Sequence, residues 1–208
     1  MKYDYLLKKC DLCRRHCGVN RLNGELGICA ADDKLIVARA ELHLWEEPPI
    51  SCENGSGTVF FSHCNLKCVF CQNHEISQEY KGAKITINRL SDIFLELQNK
   101  GANNINLVTP THYVPQIIEA IEIAKSKGLK LPILYNTNGY DTLETIKLLD
   151  GYIDVYLPDF KYFDDKYSIK YSKAKDYSSE IIPILKEMVR QTGKPSFDDK
   201  GRILKGVI

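Results

Sequence analysis

From residue 57 onward, apolar residues alternate between short continuous runs and runs with helical spacing. The continuous runs at 58–61, 105–108, 133–135 and 153–157 are rich in β-branched and aromatic residues and predict strands. Helical spacing follows at Leu90, Ile93, Phe94 and Leu97, at Ile117, Ile118, Ile121 and Ala124, and at Ile181, Leu185 and Met188. Repeated strand–helix order predicts a parallel sheet with right-handed crossovers, and therefore an α/β fold.

Residues 1–50 show little periodicity and form a predicted Cys-rich N-terminal module, followed by a β/α domain over 51–208. A short strand is expected at 35–39. The Pro48-Pro49 pair is expected to exclude a helix there. Asp141, with Glu144 three residues later, resembles a capping box and predicts the start of a helix.

The composition is that of a globular protein, with 44% hydrophobic and 26% charged residues in 208. The net charge of +1 gives no global basic bias toward nucleic acid. No apolar run approaches the roughly 18 residues of a membrane span, and residues 1–9 lack the apolar core of a signal peptide. A cytoplasmic protein without a membrane partner is expected.

The cysteines are confined to the first third of the chain. All eight lie between positions 10 and 71, at 10, 13, 17, 29, 52, 64, 68 and 71. A disulfide framework would be spread along the chain, so this distribution indicates local metal or redox sites.

Polar clusters follow the four predicted strands, and chemistry in parallel β/α folds gathers at the carboxyl ends of strands. They are the Cys64–Cys71 loop and the segments 109–112, 136–139 and 159–161. Any one cluster is explained equally well as an ordinary polar turn. Four in succession favour a shared site.

Cys64, Cys68 and Cys71 form a C-x3-C-x2-C triplet. Three thiolates within eight residues suit an iron–sulfur cluster with one iron left open to a ligand. The alternative is a zinc site completed by His63 or His74.

This triplet, with Phe70 before its last cysteine and a strand before its first, resembles the radical SAM superfamily. The wider chain, from about residue 9, resembles the radical SAM proteins related to pyruvate formate-lyase activating enzyme. The matching stretches are 10–13, 17–21, 46–51, 105–112, 135–140 and 156–161. The implied fold is a partial (β/α) barrel.

The resemblance implies an oxidoreductase with a [4Fe-4S] cluster held by Cys64, Cys68 and Cys71. The cluster would bind S-adenosylmethionine. One electron from the reduced cluster would cleave the sulfonium to methionine and a 5′-deoxyadenosyl radical, which then abstracts a hydrogen atom from a substrate. The residues implied as cofactor contacts are Phe70, Thr109, Thr111, Asn136, Thr137, Asn138, Asp159 and Lys161.

Two of those assignments carry qualifications. Many family members have a Gly-Gly-Glu segment where this chain has Thr109-Pro110-Thr111, so hydroxyls and backbone carbonyls would have to replace it. Lys161 is expected to pair with the methionine carboxylate. The alternative for Asp159 and Lys161 is a solvated ion pair in a turn.

Cys10, Cys13, Cys17 and Cys29 offer a complete ligand set for zinc or for a second iron–sulfur cluster. His16 is an alternative ligand, and four unliganded thiols are the third possibility. Arg14, Arg15 and Arg21 either form a solvated face or balance thiolate charge. Cys52 has no assigned role; the resembling proteins usually carry glycine there.

The leading functional hypothesis is a radical SAM enzyme, either activating a glycyl radical enzyme or acting on another substrate. A one-electron donor such as flavodoxin or ferredoxin is the implied partner. A non-catalytic zinc or iron–sulfur protein is the competing class. The resembling barrels have six β/α units, whereas four are visible here, with a fifth strand opening at 203–208. A C-terminally truncated chain is therefore expected, with a sheet edge that is either unprotected or paired with another chain.

Overall fold

The structure, a computed structural model, describes residues 2–208 and is built on one eight-stranded sheet. The strands are β1 (Leu35–His43), β2 (Ser56–Phe61), β3 (Ala83–Ile85), β4 (Ile105–Val108), β5 (Ile133–Thr137), β6 (Val155–Pro158), β7 (Ser196–Phe197) and β8 (Ile203–Val207). Their order across the sheet is β3-β1-β2-β4-β5-β6-β8-β7. The neighbouring pairs from β2 to β8 are parallel, while β1, β3 and β7 run antiparallel to their neighbours. The predicted α/β fold with a mostly parallel sheet is confirmed.

Eight α-helices connect these strands. They are α1 (Tyr5–Lys8), α2 (Pro48–Ser51), α3 (His74–Ser77), α4 (Ile87–Asn99), α5 (Val114–Ser126), α6 (Leu143–Leu148), α7 (Asp165–Ser172) and α8 (Tyr177–Thr192). The apolar faces of α4, α5 and α8 pack on one side of the sheet and enclose the largest core, to which Phe94, Ile121 and Met188 belong. The opposite face of β2, β4 and β5 remains available for a site.

A smaller cluster closes one end of that opposite face. Ile50 of α2 packs there with Leu134, Val155 and Ile203, and all four are buried. Ile50 comes from the double-proline segment, so the expectation that Pro48 and Pro49 exclude a helix is wrong. The prolines occupy the first turn of α2, where a helix needs no backbone N–H donor.

Two further expectations are corrected. The helix expected at Asp141 begins after Thr142, whose hydroxyl accepts the hydrogen bond from the backbone N–H of Thr145. The carboxylate of Asp141 is instead buried, and it accepts hydrogen bonds from Tyr135 and Thr137. The strand expected at 35–39 extends to His43 and joins the sheet beside β2. Whether residues 1–50 form a separate module stays a prediction.

The expected unprotected sheet edge at 203–208 also differs from the structure. β8 pairs with β6 on one side, and the two residues of β7 pair with it on the other. Within residues 2–208, no helix is long and apolar enough to cross a membrane.

Candidate metal and cofactor site

The three cysteines of the triplet lie around one cavity of about 610 Å³ at the carboxyl ends of the parallel strands. The loop that carries them leaves β2 through His63, whose φ of +72° turns the chain away from the sheet. Cys64, Cys68 and Cys71 then all line the same cavity. Their spacing in the sequence is therefore matched by a common location in the fold.

Each sulfur of the triplet has a polar partner. The Cys64 sulfur accepts hydrogen bonds from the Leu66 backbone N–H and the Asn138 amide, each at 3.4 Å. The Cys68 sulfur accepts a hydrogen bond of 2.9 Å from the Ser172 hydroxyl, and the Cys71 sulfur lies 3.2 Å from the Ser77 hydroxyl. Donors directed at sulfur stabilise thiolates and tune a cluster that they hold.

Without a metal, the thiols of Cys64 and Cys68 favour their protonated forms. Burial raises the pKa of Cys64 to about 11, against the opposing effect of the Leu66 N–H. Burial also raises the pKa of Cys68, while the Ser172 hydroxyl and the Lys161 ammonium act in the opposite direction. A positive metal centre reverses this balance, because a coordinating thiol is deprotonated.

The three cysteines lie around an open cavity and could each bind a different iron of a cluster. In the part of the chain that the structure describes, no three His, Cys, Asp or Glu side chains are grouped so as to hold one metal ion. Ligands of one zinc ion must converge to about 2.3 Å from a common point. In a cluster, each cysteine binds a different iron, so three sulfurs around an open cavity fit that group.

The histidines considered as a fourth zinc ligand have other partners. A ring nitrogen of His63 lies 3.0 Å from the Cys29 carbonyl, and its ring stacks on Tyr80 with centroids 4.5 Å apart. His74 lies at the exposed start of α3, with a ring nitrogen 3.3 Å from Glu79.

Six of the eight residues implied as cofactor contacts line the same cavity as the cysteines. These are Phe70, Thr109, Asn136, Asn138, Asp159 and Lys161. Phe70 is 56% exposed, so its ring stands at the cavity mouth. The Lys161 ammonium and the Asp159 carboxylate form an ion pair of 2.6 Å on the wall beside Cys68.

Thr111 and Thr137 lie outside this cavity lining. Both are buried, and the Thr137 hydroxyl donates a 2.5 Å hydrogen bond to Asp141. Burial raises the pKa of Asp141, while hydrogen bonds from Thr137, Tyr135 and Thr111 oppose the rise. These two threonines therefore fix the loop after β5, and their role as cofactor contacts stays a prediction.

The backbone is strained at one cavity residue. Thr109, at the end of β4, has a φ of +58°, in the left-handed region that a β-branched residue rarely adopts. It occupies the segment where resembling proteins carry paired glycines. Such outliers collect at ligand sites, where the surrounding structure holds them in place.

The opposite wall of the cavity was missed by sequence reasoning. Arg39, His43, Glu46 and Phe60 line it. Arg39 and His43 pair with Phe60 and Ser56 in the ladder between β1 and β2, which puts them on the cavity face of the sheet. Burial, and next the nearby Glu47, raise the pKa of Glu46. The only available signal was the alternation of polar and apolar residues from 39 to 43.

The four N-terminal cysteines lie close to one another. Cys10, Cys13 and Cys29 are buried, Cys17 is half-buried, and all are free thiols. Burial raises the pKa of Cys13 to about 12, and nearby Cys29 and Cys10 add to the rise. Because the described residues contain no ready single-ion site, zinc or cluster binding at these cysteines stays a prediction.

The arginines beside these cysteines hold loops together. Arg15 donates to the Asn65 carbonyl at 2.8 Å and to the Ser172 carbonyl at 3.3 Å, and also contacts the Lys173 carbonyl. Asn65 follows Cys64, and Ser172 is the hydrogen-bond donor to Cys68. Arg15 therefore links the N-terminal segment to the loop of the triplet.

Arg14 and Arg21 are structural as well. Arg14 donates to the carbonyls of Asp176 and Tyr177 at 2.7 and 3.1 Å. Arg21 is fully buried and donates to the carbonyls of Asp32 and His112. Its guanidinium also lies 3.9 Å from the Cys10 sulfur. Of the three, only Arg21 thus has a contact suited to balancing thiolate charge.

Fold and site together describe a β/α protein with a three-cysteine loop at the carboxyl ends of its parallel strands. The sequence profile of the radical SAM superfamily matches residues 58–197, which is more than half of the chain. The chain therefore belongs to the radical SAM superfamily. Members of this superfamily generally bind a [4Fe-4S] cluster and S-adenosylmethionine.

The chain is also similar to MJ0674, an uncharacterized protein of Methanocaldococcus jannaschii. The two are 33% identical over 180 residues, which cover 83% of this chain and 51% of the relative. The chain thus spans about half the length of the curated relative that it matches.

Proposed function

We propose that this protein is an enzyme that reductively cleaves S-adenosylmethionine, with its cluster held by Cys64, Cys68 and Cys71. A bound and reduced cluster supplies the electron that converts S-adenosylmethionine to methionine and a 5′-deoxyadenosyl radical. The observation that carries the proposal is the common cavity of the three thiols, whose sulfurs all have polar partners.

The chain's own residues would orient the cofactor and exclude water. Asn138 would hold the Cys64 sulfur, and Ser172 the Cys68 sulfur, through the hydrogen bonds that they already make. Lys161 would exchange its Asp159 partner for the methionine carboxylate, since an ammonium pairs with either carboxylate. Phe70 would cover the adenine side of the cavity mouth.

The hydrogen donor would lie on the opposite wall, against Arg39, His43 and Glu46. A glycyl radical enzyme presenting a backbone glycine is one candidate substrate, and a different small or macromolecular donor is the other. The activating-enzyme option rests on the motifs shared with that group. A flavodoxin or ferredoxin would supply the electron.

The test is turnover after anaerobic reconstitution with iron and sulfide. Dithionite-reduced protein should release methionine and 5′-deoxyadenosine in equal amounts, and the Cys68→Ala variant should release neither. Cys52→Ser is the matched control, because Cys52 is a free thiol outside the cavity lining, and it should retain turnover. Full turnover by Cys68→Ala would reject the ligand assignment. A wild-type protein that binds the cluster but never cleaves the cofactor would favour a non-catalytic iron–sulfur protein.

For the N-terminal cysteines, we propose a second, structural metal site. Four neighbouring thiols in a segment whose own buried cluster is small support it, because a bound metal would add stability there. Metal analysis of a variant with Cys64, Cys68 and Cys71 replaced by alanine would identify the metal as one zinc or four irons. A fully folded, metal-free variant would show instead that these cysteines are free thiols.

A further inference from the structure

One surface beside the cysteine loop is rich in unpaired positive charge. We call it the lysine face and define it as Lys67, Lys166, Lys170, Lys173 and Lys175. All but the half-buried Lys67 are exposed. In residues 2–208, none of the five has a carboxylate within ion-pair distance. The face therefore presents uncompensated charge to solvent.

Asp164 and Asp165, the acidic residues at the start of α7, have other partners, whereas Asp176, next to Lys175 in the sequence, is exposed. Asp164 caps α7 by accepting the hydrogen bond from the Lys166 backbone N–H at 2.7 Å. Asp165 accepts from the Ser178 backbone N–H, also at 2.7 Å. Lys67 and Lys170 lie over the rings of Tyr80 and Tyr171, at 5.2 and 5.0 Å. Neither acid thus forms an ion pair with the lysine face.

The lysine face lies directly against the loop of the cysteine triplet. The backbone N–H groups of Lys67 and Val69 donate to the carbonyls of Ser172 and Tyr171, at 3.1 and 2.9 Å. Between them, the Ser172 hydroxyl reaches the Cys68 sulfur at 2.9 Å. One hydrogen bond therefore connects the last turn of α7 to a sulfur that the proposed cluster would occupy.

Exposed apolar side chains stand among the charges. Val69 is 71% exposed, and Tyr167 and Ile169 are each 47% exposed. A small apolar centre with a charged rim is the anatomy of a transient protein interface, and complexes of electron-transfer proteins bury little area. Lysines at the rim raise the association rate of a partner with the opposite charge.

We propose that the lysine face is the docking surface for an acidic one-electron carrier protein. The proposal rests on the proposed function, since an electron carrier needs to bind beside Cys68 only if that cysteine holds a redox centre. The reaction is one-electron transfer: the carrier loses one electron and the centre gains it. No bond forms or breaks, and no proton moves. Positive charge complements the carrier, and the Ser172 hydroxyl gives it a hydrogen-bonded route from α7 to the Cys68 sulfur.

The experiment measures binding separately from turnover. The probes are an acidic flavodoxin and an acidic [2Fe-2S] ferredoxin, each titrated into the reconstituted full chain at about 20 and 200 mM salt. At least one probe should bind the wild type, and binding should weaken about tenfold or more at the higher salt. The Lys170→Glu/Lys173→Glu variant should weaken binding at low salt by a similar factor, with an unchanged circular dichroism spectrum.

The matched control places the same charge change at the other end of the strands. Lys125, in the last turn of α5, and Lys130, in the loop before β5, are exposed and lie on the side where β5 begins. The Lys125→Glu/Lys130→Glu variant should bind like the wild type. Equal weakening by both double variants would overturn the proposal, since net charge alone would then govern binding. Failure of both probes to bind the wild type would also overturn it.

Reduction kinetics separate this proposal from the proposed function. Dithionite should reduce the cluster of the α7 variant as fast as that of the wild type, whereas the reduced carrier should act about tenfold more slowly. Loss of S-adenosylmethionine cleavage under dithionite in the wild type would reject the proposed function without touching the binding result. Normal cleavage together with salt-independent carrier binding would reject the docking surface alone.

Discussion

Replacing Arg15 by alanine tests whether the N-terminal segment supports the cysteine loop. The change removes a charged donor that contacts the carbonyls of Asn65, Ser172 and Lys173. It also removes a guanidinium 5.1 Å from the Tyr140 ring. The three carbonyl contacts hold the backbone next to Cys64 and at Ser172, the donor to Cys68, so the loop should loosen as the protein loses stability.

The magnitude follows from the number of bonds. A hydrogen bond from a charged group contributes about 1.5–3 kcal/mol, and less where solvent can rehydrate the carbonyl. Arg15 is half-buried, so we take about 1 kcal/mol for each of its three contacts and expect a loss of about 3 kcal/mol. For a chain of this size, that corresponds to a fall in Tm of about 6–12 °C.

Urea unfolding of the metal-free protein, followed by circular dichroism, measures the loss. Arg15→Lys keeps the charge but cannot reach three carbonyls with one planar group, so it should lose an intermediate amount, about 2 kcal/mol. After reconstitution, a chelator should remove iron from Arg15→Ala faster than from the wild type. Free energies of unfolding for Arg15→Ala and the wild type that agree within about 0.5 kcal/mol would refute the reasoning.

Three further outcomes are expected. Burial lowers the pKa of His112 to about 3, while in the unfolded state the pKa is near 6.5, so only the unfolded chain binds the extra proton between these values. The free energy of unfolding should therefore fall as pH decreases from about 6.5, by up to about 1.4 kcal/mol per pH unit. His112→Gln should flatten this dependence when acid denaturation is measured. Thr109→Gly should raise the free energy of unfolding by about 1 kcal/mol by relieving the positive φ; a clear loss in urea titration would show that the threonine is not strained. Glu46→Gln should stabilise the protein at pH 7 by less than about 1 kcal/mol, because it removes a partly buried charge. The iron content should stay unchanged, and loss of iron would place Glu46 in the cluster site.

The parts of the fold that were predictable rest on local pattern. The four central strands and the helices α4, α5 and α8 have strong apolar periodicity, and their alternation implies a parallel sheet. The cysteine triplet was predictable because its ligands lie within eight residues and follow a strand. Since strand ends of a parallel sheet share one edge, the grouping of Thr109, Asn136 and Lys161 followed from topology.

The rest depends on contacts between distant residues. α7 has few apolar positions, and its main interactions are backbone hydrogen bonds to the cysteine loop, which no period reveals. The hydrogen bond from Arg15 to the Asn65 carbonyl joins residues 50 positions apart in the sequence, and the one to the Ser172 carbonyl joins residues 157 apart. Asp141 fits the sequence pattern of a helix start, but its carboxylate instead accepts hydrogen bonds from the buried hydroxyls of Tyr135 and Thr137. Long-range polar partners of this kind are set by the assembled fold.

The most direct test of the central claim is electron paramagnetic resonance of the reconstituted, reduced protein before and after addition of S-adenosylmethionine. If Cys64, Cys68 and Cys71 hold a cluster with one iron open to a ligand, the cofactor should shift the signal of the reduced cluster, and the Cys68→Ala variant should show no such shift. A signal that is identical with and without S-adenosylmethionine in the wild-type protein would contradict the account.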